Sequence, residues 1–463
     1  MLTRALGFAS ILLLAGCAVG PKYKRPDAAL PTVYRDASAP PGQPSQASLA
    51  DEKWWEVFQD TELQTLIRTA LKQNYDLRIT AARILQAQAS HGITRADQFP
   101  TITGAASATN SRIPKTKILP GVDTSTNSLA LSLFWELDFW GKYRRATEAA
   151  RADLLATEWG QRAVMTTLVS NVATAYFQLR ELDLELEVSK QALTSRQESL
   201  RLAKVRATGG VSSMIDVHQS EQLVYEAGGS IPDLERRITQ QENLISTLIG
   251  SYSHPITRGR RLVENPIAPT VPVGLPSSLL ERRADIQAAE QALVAANARI
   301  GVAKAAYFPQ ISLTATAGYQ STALTNLFTG PAGLWNFGGQ LAQPIFEGGR
   351  IRSGVRLSEA QQQQTLLAYE QAIQVAFQQV SDSLIAYRKT QEVREQQSLL
   401  TEAARNTVEL SQSRYAGGVT SYLEVLDSDT RYLTAEISLA QDELNERLAL
   451  VQLYAALGGG WQQ

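Results

Sequence analysis

The sequence predicts a mainly α-helical fold with a small membrane β-part, made of a duplicated unit of two β-strands plus a long coiled-coil helical hairpin. Three observations lead there: an internal repeat at a spacing of 208–209 residues, two long stretches without proline, and four strand-length stretches with aromatic ends. The repeat is read from three matches in register. Phe99-Pro100-Thr101-Ile102 returns as Phe308-Pro309-Gln310-Ile311, 209 residues later. Arg206-Ala207-Thr208-Gly209-Gly210-Val211-Ser212-Ser213 returns as Arg414-Tyr415-Ala416-Gly417-Gly418-Val419-Thr420-Ser421, 208 residues later with five of eight positions identical. Gly250 and Gly458 keep the same spacing of 208.

Proline placement gives the helices. None occurs between Pro120 and Pro232, or after Pro344; a helix-interior proline costs about 3 kcal/mol, so such gaps permit long helices. Leu179, Leu182, Leu186, Leu193 and Leu200 fall at heptad spacings, a coiled-coil seam. Tyr143 to Thr208 can run as one helix, roughly 100 Å long at 1.5 Å per residue. Gly209-Gly210 breaks it, and Ser212-Ser213 starts a return helix to about Ile249. The second copy repeats the plan from Arg350 to Arg414, turns at Gly417-Gly418 and returns to Leu457. A shorter helix opens each copy, where Thr61-x-x-Gln64 and Ser278-x-x-Glu281 fit a capping box.

The strands lie between the short and long helices, at about 101–111, 127–138, 310–320 and 338–346. Each has the roughly 10 residues that a tilted membrane-spanning strand needs. Aromatics at their ends, among them Phe99, Trp135, Trp140, Phe308, Tyr319, Trp335 and Phe346, suit a lipid–water boundary. A soluble sheet with an aromatic core would show the same pattern. Four strands cannot close a barrel, and an open edge is not tolerated in lipid; the membrane reading therefore requires oligomerisation, with three chains supplying twelve strands.

The N-terminus points to export. Arg4 followed by the apolar run Leu6–Ala15 reads as a signal peptide, too short to span a bilayer as a helix. The only cysteine follows in Leu14-Ala15-Gly16-Cys17, the pattern of a bacterial lipoprotein cleavage site. Cys17 then becomes an acylated N-terminus anchored by its buried chains. Residue 18 is alanine, not the aspartate that commonly retains lipoproteins at the inner membrane, so the outer membrane is expected. The organisation expected is a signal peptide at 1–16, a lipidated tether at 17–59 rich in Pro, Ala, Gly and Ser, a first repeat at 60–254 (hairpin about 143–249), a linker at 255–277, and a second repeat at 278–463 (hairpin about 350–457).

Composition narrows the function. Lys and Arg total 44 against 45 Asp and Glu, a net charge of −1, which argues against nucleic-acid binding. One cysteine and three histidines (His91, His218, His254) cannot build a Cys/His metal site or an internal disulfide. No nucleophile–His–acid set appears either, so no enzyme activity and no cofactor are expected.

A duplicated strand–strand–hairpin unit behind a lipobox resembles the TolC-type outer-membrane factors, in their NodT-like, OprM-like efflux lipoprotein branch. The most specific pieces are Cys17-Ala18-Val19-Gly20-Pro21-Lys22-Tyr23-Lys24-Arg25-Pro26, the run Leu275–Ile286, Gln343-Pro344-Ile345-Phe346-Glu347-Gly348-Gly349-Arg350 and the two Gly-Gly-Val turns. The chain departs from the family at Ala284, where proline usually follows Arg-Arg. The resemblance implies a homotrimer with a 12-stranded β-barrel in the outer membrane and a periplasmic α-helical barrel. It also implies N-palmitoyl and S-diacylglycerol groups on Cys17, a periplasmic adaptor (membrane fusion) protein and an inner-membrane RND-type transporter as partners.

Leu423 and Asp427, four residues apart on one helix face, match the family's constriction positions; three carboxylates around a narrow axis would attract cations. A solvated helix face is the plainer reading of Asp427. Arg414 and Tyr415 match positions that hold the closed tip, and Asp216 lies near enough to the first turn to pair with such an arginine on a neighbouring hairpin. Gly209, Gly210, Val211, Gly417, Gly418 and Val419 form the turns, and their docking role toward an adaptor comes from the resemblance. The expected function is the exit duct of a tripartite efflux pump for small toxic compounds. The same fold also serves as the exit duct of type I protein secretion.

Overall fold

The computed structural model describes residues 18–27, 30–31, 34–35, 48–114, 121–264, 274 and 276–461. The expected signal peptide and Cys17 lie outside them. The chain forms two compact units. One consists of Arg83–Glu158, Ala288–Glu370 and the described residues up to Asp27; the other consists of Trp159–Gln287, Gln371–Gln463 and the described part of Ala28–Ala82. These units are not the two sequence copies: each takes segments from both, because the long helices contribute residues to both units.

In chain order the main elements are α1 (Thr61–Gln73), α2 (Tyr75–Ala96), β1 (Thr101–Ile113), β2 (Val122–Glu136), α3 (Lys142–Thr208), α4 (Met214–Leu248), α5 (Ala284–Ala305), β3 (Gln310–Ser321), β4 (Gly333–Ala342), α6 (Arg350–Ala416) and α7 (Tyr422–Ala456). Both outgoing helices, α3 and α6, have 67 residues, and both return helices, α4 and α7, have 35. The duplication is thus exact in hairpin length. Of the expected Leu seam on α3, Leu179 and Leu182 are buried, whereas farther along the helix Arg196 takes the buried place. Glycines in the left-handed region end both return helices: Gly250 at φ +76° and Gly458 at φ +90°.

The four strands pair antiparallel in the order β1-β2-β3-β4. β2 and β3 join the two copies. Register separates two faces. One carries the rows Ile102–Leu133–Ala315–Phe337 and Gly104–Leu131–Ala317–Trp335; the other carries Thr103–Ser132–Thr316–Asn336 and Ser107–Ser128–Gln320. Ser107 and Ser128 hydroxyls meet at 2.8 Å. Trp335 and Phe337 are 81% and 71% exposed in the single chain. An apolar face backed by a hydroxyl-rich face is the pattern of a membrane barrel strand set. β4 departs from expectation: it runs 333–342 rather than 338–346, because Pro344 has no N–H for the ladder. β2 begins at Val122 rather than 127 and pairs with the full length of β1.

Both expected capping boxes are replaced. α1 is capped by Asp60, one residue before Thr61. Its carboxylate accepts from the N–H groups of Glu62 (2.9 Å) and Leu63 (3.2 Å), the Tyr176 hydroxyl (3.0 Å) and the Arg260 N–H (3.1 Å). Asp60 is 1% exposed, and these four donors satisfy its carboxylate there. The amide of Gln64 instead donates to the carbonyls of Trp55 and Phe58. Ser278 is itself helical and makes no cap hydrogen bond. α5 starts at Ala284 after the extended Arg283, whose guanidinium binds Asp285, the Ala456 carbonyl and Gln379.

The N-terminal segment, expected as an extended tether, is docked where described. In the first unit, Val19 N–H donates to the Trp140 carbonyl at 3.0 Å, and Arg145 donates to the carbonyls of Val19 (3.3 Å) and Gly20 (3.5 Å). Asn297 on α5 donates to the Pro21 carbonyl at 3.1 Å. The Tyr23 hydroxyl (3.1 Å) and Arg25 Nε (2.8 Å) donate to Glu290, with a second bond from Arg25 Nη2. The crossing needs two glycines. A Cβ on Gly20, which sits at φ +109°, would lie 2.5 Å from Gly301 Cα, and one on Gly301 would lie 2.7 Å from the Val19 carbonyl oxygen.

Gly301→Val should therefore lift this segment off α5. Overpacking of this kind costs about 1–3 kcal/mol, so trypsin should cleave after Lys22 and Lys24 about tenfold faster than in the parent. Equal cleavage rates by timed digestion and N-terminal sequencing would show that the crossing does not hold the segment.

Candidate functional site

The two helical turns lie together in the second unit and share one backbone design. In the first, Gly210 N–H donates to the Ala207 carbonyl and Val211 N–H to the Arg206 carbonyl; in the second, Gly418 N–H donates to Tyr415 and Val419 N–H to Arg414. This is the Schellman pattern, and it requires a left-handed residue, met by Gly210 at φ +72° and Gly418 at φ +75°. Ser213 then starts α4 by accepting from the Ile215 N–H at 3.1 Å. Val211 and Val419 stand 68% and 72% exposed at the two turns.

Side chains at the tips are not symmetric between copies. Tyr415 and Tyr422 are buried, with Val425 beside them and Leu426 packed against the group. The two rings meet edge-on at 5.3 Å between centroids. Arg206 of the first copy lays its guanidinium over the Tyr415 ring, 4.7 Å from the centroid, and its Nη1 donates to the Ala416 carbonyl at 3.2 Å. Burial and the nearby Asp216 carboxylate push the Tyr415 phenol pKa up, while Arg206 and Ser212 oppose them.

Within the single chain it is Arg206 that reaches from the first hairpin to the second turn. Arg414 instead faces Glu424 of its own hairpin at 3.7 Å. Asp216 lies by the Tyr415 phenol. The signal for Arg206 was present in the repeat, where it is the counterpart of Arg414.

Leu423 and Asp427 share a face of α7, as their spacing predicts. Leu423 is 60% exposed in the single chain. Asp427 is not a bare carboxylate: Arg431, one turn farther on, donates from Nε to its Oδ2 at 2.8 Å. Both side chains are well exposed, so the pair adds little stability. Its effect is on local charge. Arg431 escaped the sequence reading although its i,i+4 spacing from Asp427 is visible there.

Comparisons with known proteins agree with this architecture. The family model described as "Outer membrane efflux protein" matches twice, over residues 66–251 and 275–459, one match per copy. The chain is 38% identical over 464 aligned residues to the solvent efflux pump outer membrane protein SrpC of Pseudomonas putida, covering 99% of this chain and 98% of that protein. It is 33% identical to the cation efflux system protein CusC of Escherichia coli O6:H1, covering 99% of each. Among solved structures, the open state of the Neisseria gonorrhoeae MtrE outer membrane channel superposes with a TM-score of 0.88 at 30% identity, covering 96% of this chain and 99% of that one. With its strand pairs, duplicated hairpins and both repeats matched, this chain belongs to the outer membrane efflux protein family and is an outer-membrane channel component of an efflux pump.

Proposed function

We propose that three copies of this chain form the exit duct of a tripartite efflux pump, passively conducting drugs or other small toxic compounds out of the cell. The observation that carries this reading is the four-stranded sheet, with one apolar face, one hydroxyl-rich face and two unpaired edges. Such a sheet is stable in lipid only when its edges close on further strands, and three chains give a barrel of twelve. The likeness to solvent and cation efflux components supports small molecules as cargo. The duct conducts and performs no chemistry.

In this reading the exposed Val211 and Val419 with their glycine turns dock a periplasmic adaptor, which links the duct to an RND-type transporter in the inner membrane. Leu423 and Asp427 form the constriction. Tyr415, held by Arg206 and facing Asp216, packs the tip, and the Arg414–Glu424 pair braces the second turn. Cys17 carries the lipid that anchors the N-terminus, next to the docked segment that begins at Ala18.

Deleting the gene should make cells at least about fourfold more susceptible to small amphiphilic toxicants, and mild-detergent extracts should give a particle of about three chains. Unchanged susceptibility together with loss of a secreted protein would favour the secretion duct instead. A monodisperse monomer would contradict the barrel.

Cys17→Ser should abolish labelling by a radioactive fatty acid. Mass spectrometry finding an unmodified Cys17 at the mature N-terminus would refute the lipoprotein reading.

In planar bilayers, Leu423→Ala should raise conductance by removing an apolar constriction. Asp427→Ala leaves Arg431 without its partner and should shift selectivity toward anions. Arg431→Ala should shift it toward cations, by freeing the carboxylate. Reversal potentials in a salt gradient measure both shifts; parental values in the Asp427 and Arg431 variants would return both residues to an ordinary solvated face.

A further inference from the structure

A cavity of about 750 Å³ opens in the second unit where the end of α7 meets the start of α5. The helical wall is interrupted there: Gly458, at φ +90°, ends α7, and α5 begins at Ala284. On either side the joint is flanked by the two long helices, α3 from Ala163 to Thr174 and α6 from Gln379 to Ser383. The volume is that of a small-molecule site, and conduction through a duct makes no use of it.

Its lining is rich in acceptors. Thr167 and Ser170 donate their hydroxyl protons to the carbonyls of Ala163 and Thr166, at 3.0 Å each, so what they offer the cavity is oxygen lone pairs. The one cation of the lining, Arg283, is 7% exposed and has all three nitrogens engaged. Nε and Nη2 donate to Asp285 at 3.0 and 2.6 Å, Nη1 donates to the Ala456 carbonyl at 3.0 Å, and Nη2 also reaches Gln379 at 2.8 Å. Burial pushes the Asp285 carboxyl up, but the Arg283 guanidinium outweighs it and holds the group below the usual carboxylate range. Asp285 is therefore ionised at neutral pH. Asp382 on α6 is exposed and accepts from the Gln378 amide of its own helix at 3.3 Å. Two negative charges thus stand against one positive, and Ala163, Val451 and Ala455 add apolar wall.

We propose that this cavity binds a small linear polyamine, with its protonated amines on the Asp285 and Asp382 carboxylates and the Thr167 and Ser170 hydroxyls, and its methylene spacers on Ala163, Val451 and Ala455. An ammonium group is all donor and no acceptor, which is what a lining of acceptors selects. Its charge answers the surplus carboxylate, and the attraction is stronger in a partly dry cavity than in bulk water. An anion meets the opposite field. A divalent cation needs six or more oxygens gathered around one point, whereas here the two carboxylates come from different helices and one is already gripped by Arg283. The cavity is lined by a single chain, so the proposal stands or falls apart from the trimeric duct.

The test is calorimetric titration of spermidine into the full-length protein in mild detergent. The parent should bind with saturation. Asp382→Asn removes a charge without disturbing the buried Arg283 and should weaken binding about tenfold, the worth of one hydrogen bond to a charged group. Thr167→Val removes one acceptor at nearly constant shape and should weaken it about threefold. No saturable binding by the parent overturns the proposal, and so does parental affinity in Asp382→Asn. Loss of binding in Asp427→Ala with parental affinity in Asp382→Asn would place the amine at the second helical turn and overturn the cavity site. Displacement of spermidine by an equal concentration of Mg²⁺ would make the cavity a general cation site and overturn the polyamine assignment. If Asp382→Asn fails to fold, parental affinity in Thr167→Val overturns the site on its own.

Discussion

Two unpaired strand edges in lipid are the constraint on which the rest of this protein depends. β1 and β4 each present a row of backbone groups with no partner in the chain's own four-stranded sheet, and each such group costs several kcal/mol in hydrocarbon. Neither copy of the duplicated unit escapes this alone. A single copy supplies two strands, and the pairing of β2 with β3 makes them four but still leaves two edges. Assembly is therefore a condition of membrane insertion. The row alternation of the sheet fits that end, with Leu131, Ala317 and Trp335 on one face and Ser132, Thr316 and Asn336 on the other.

Duplication has copied the backbone and released the side chains. Both turns use the same hydrogen bonds and the same left-handed glycine, so the hairpins end alike. Yet Tyr415 stands where the first copy has Ala207, Tyr422 where it has Met214, and Asp427 where it has Gln219. The second copy consequently owns the aromatic tip and the acidic position, and from the first copy Arg206 lies over Tyr415 and Arg196 pairs with Asp429. In a trimer this gives three acidic positions instead of six.

Backbone features were largely legible in the sequence, because proline and glycine act locally. The proline gaps located α3 and α6, the Gly-Gly pairs located the turns, and the repeat aligned them. The end of β4 could have been read from Pro344, which cannot donate to a ladder. What the sequence hid were contacts between distant segments. Asp60 caps α1 because Tyr176 and Arg260, far along the chain, complete its shell. The Ala/Pro-rich start looked like a free tether, since the clasp on Glu290 and Gly301 lies more than 260 residues away in sequence. Leu423 and Asp427 share a face as their spacing implies, but Arg431 changes the local charge. Arg206, to which the sequence assigns no role, lies over Tyr415, because helix spacing places a residue on a face without saying which neighbour that face meets.

The most direct test of the account is disulfide formation across the sheet edges. Single cysteines placed along Thr103–Thr109 of β1 and Asn336–Ala342 of β4 are combined in pairs and oxidised in isolated outer membranes. Within one chain those edges are separated by two strands, roughly 14 Å at the spacing of a sheet, beyond the reach of a disulfide. The account predicts that pairs in register link neighbouring chains and give a covalent ladder ending at three. If no β1–β4 pair crosslinks between chains, the edges do not close on copies of this protein, and the barrel reading is contradicted.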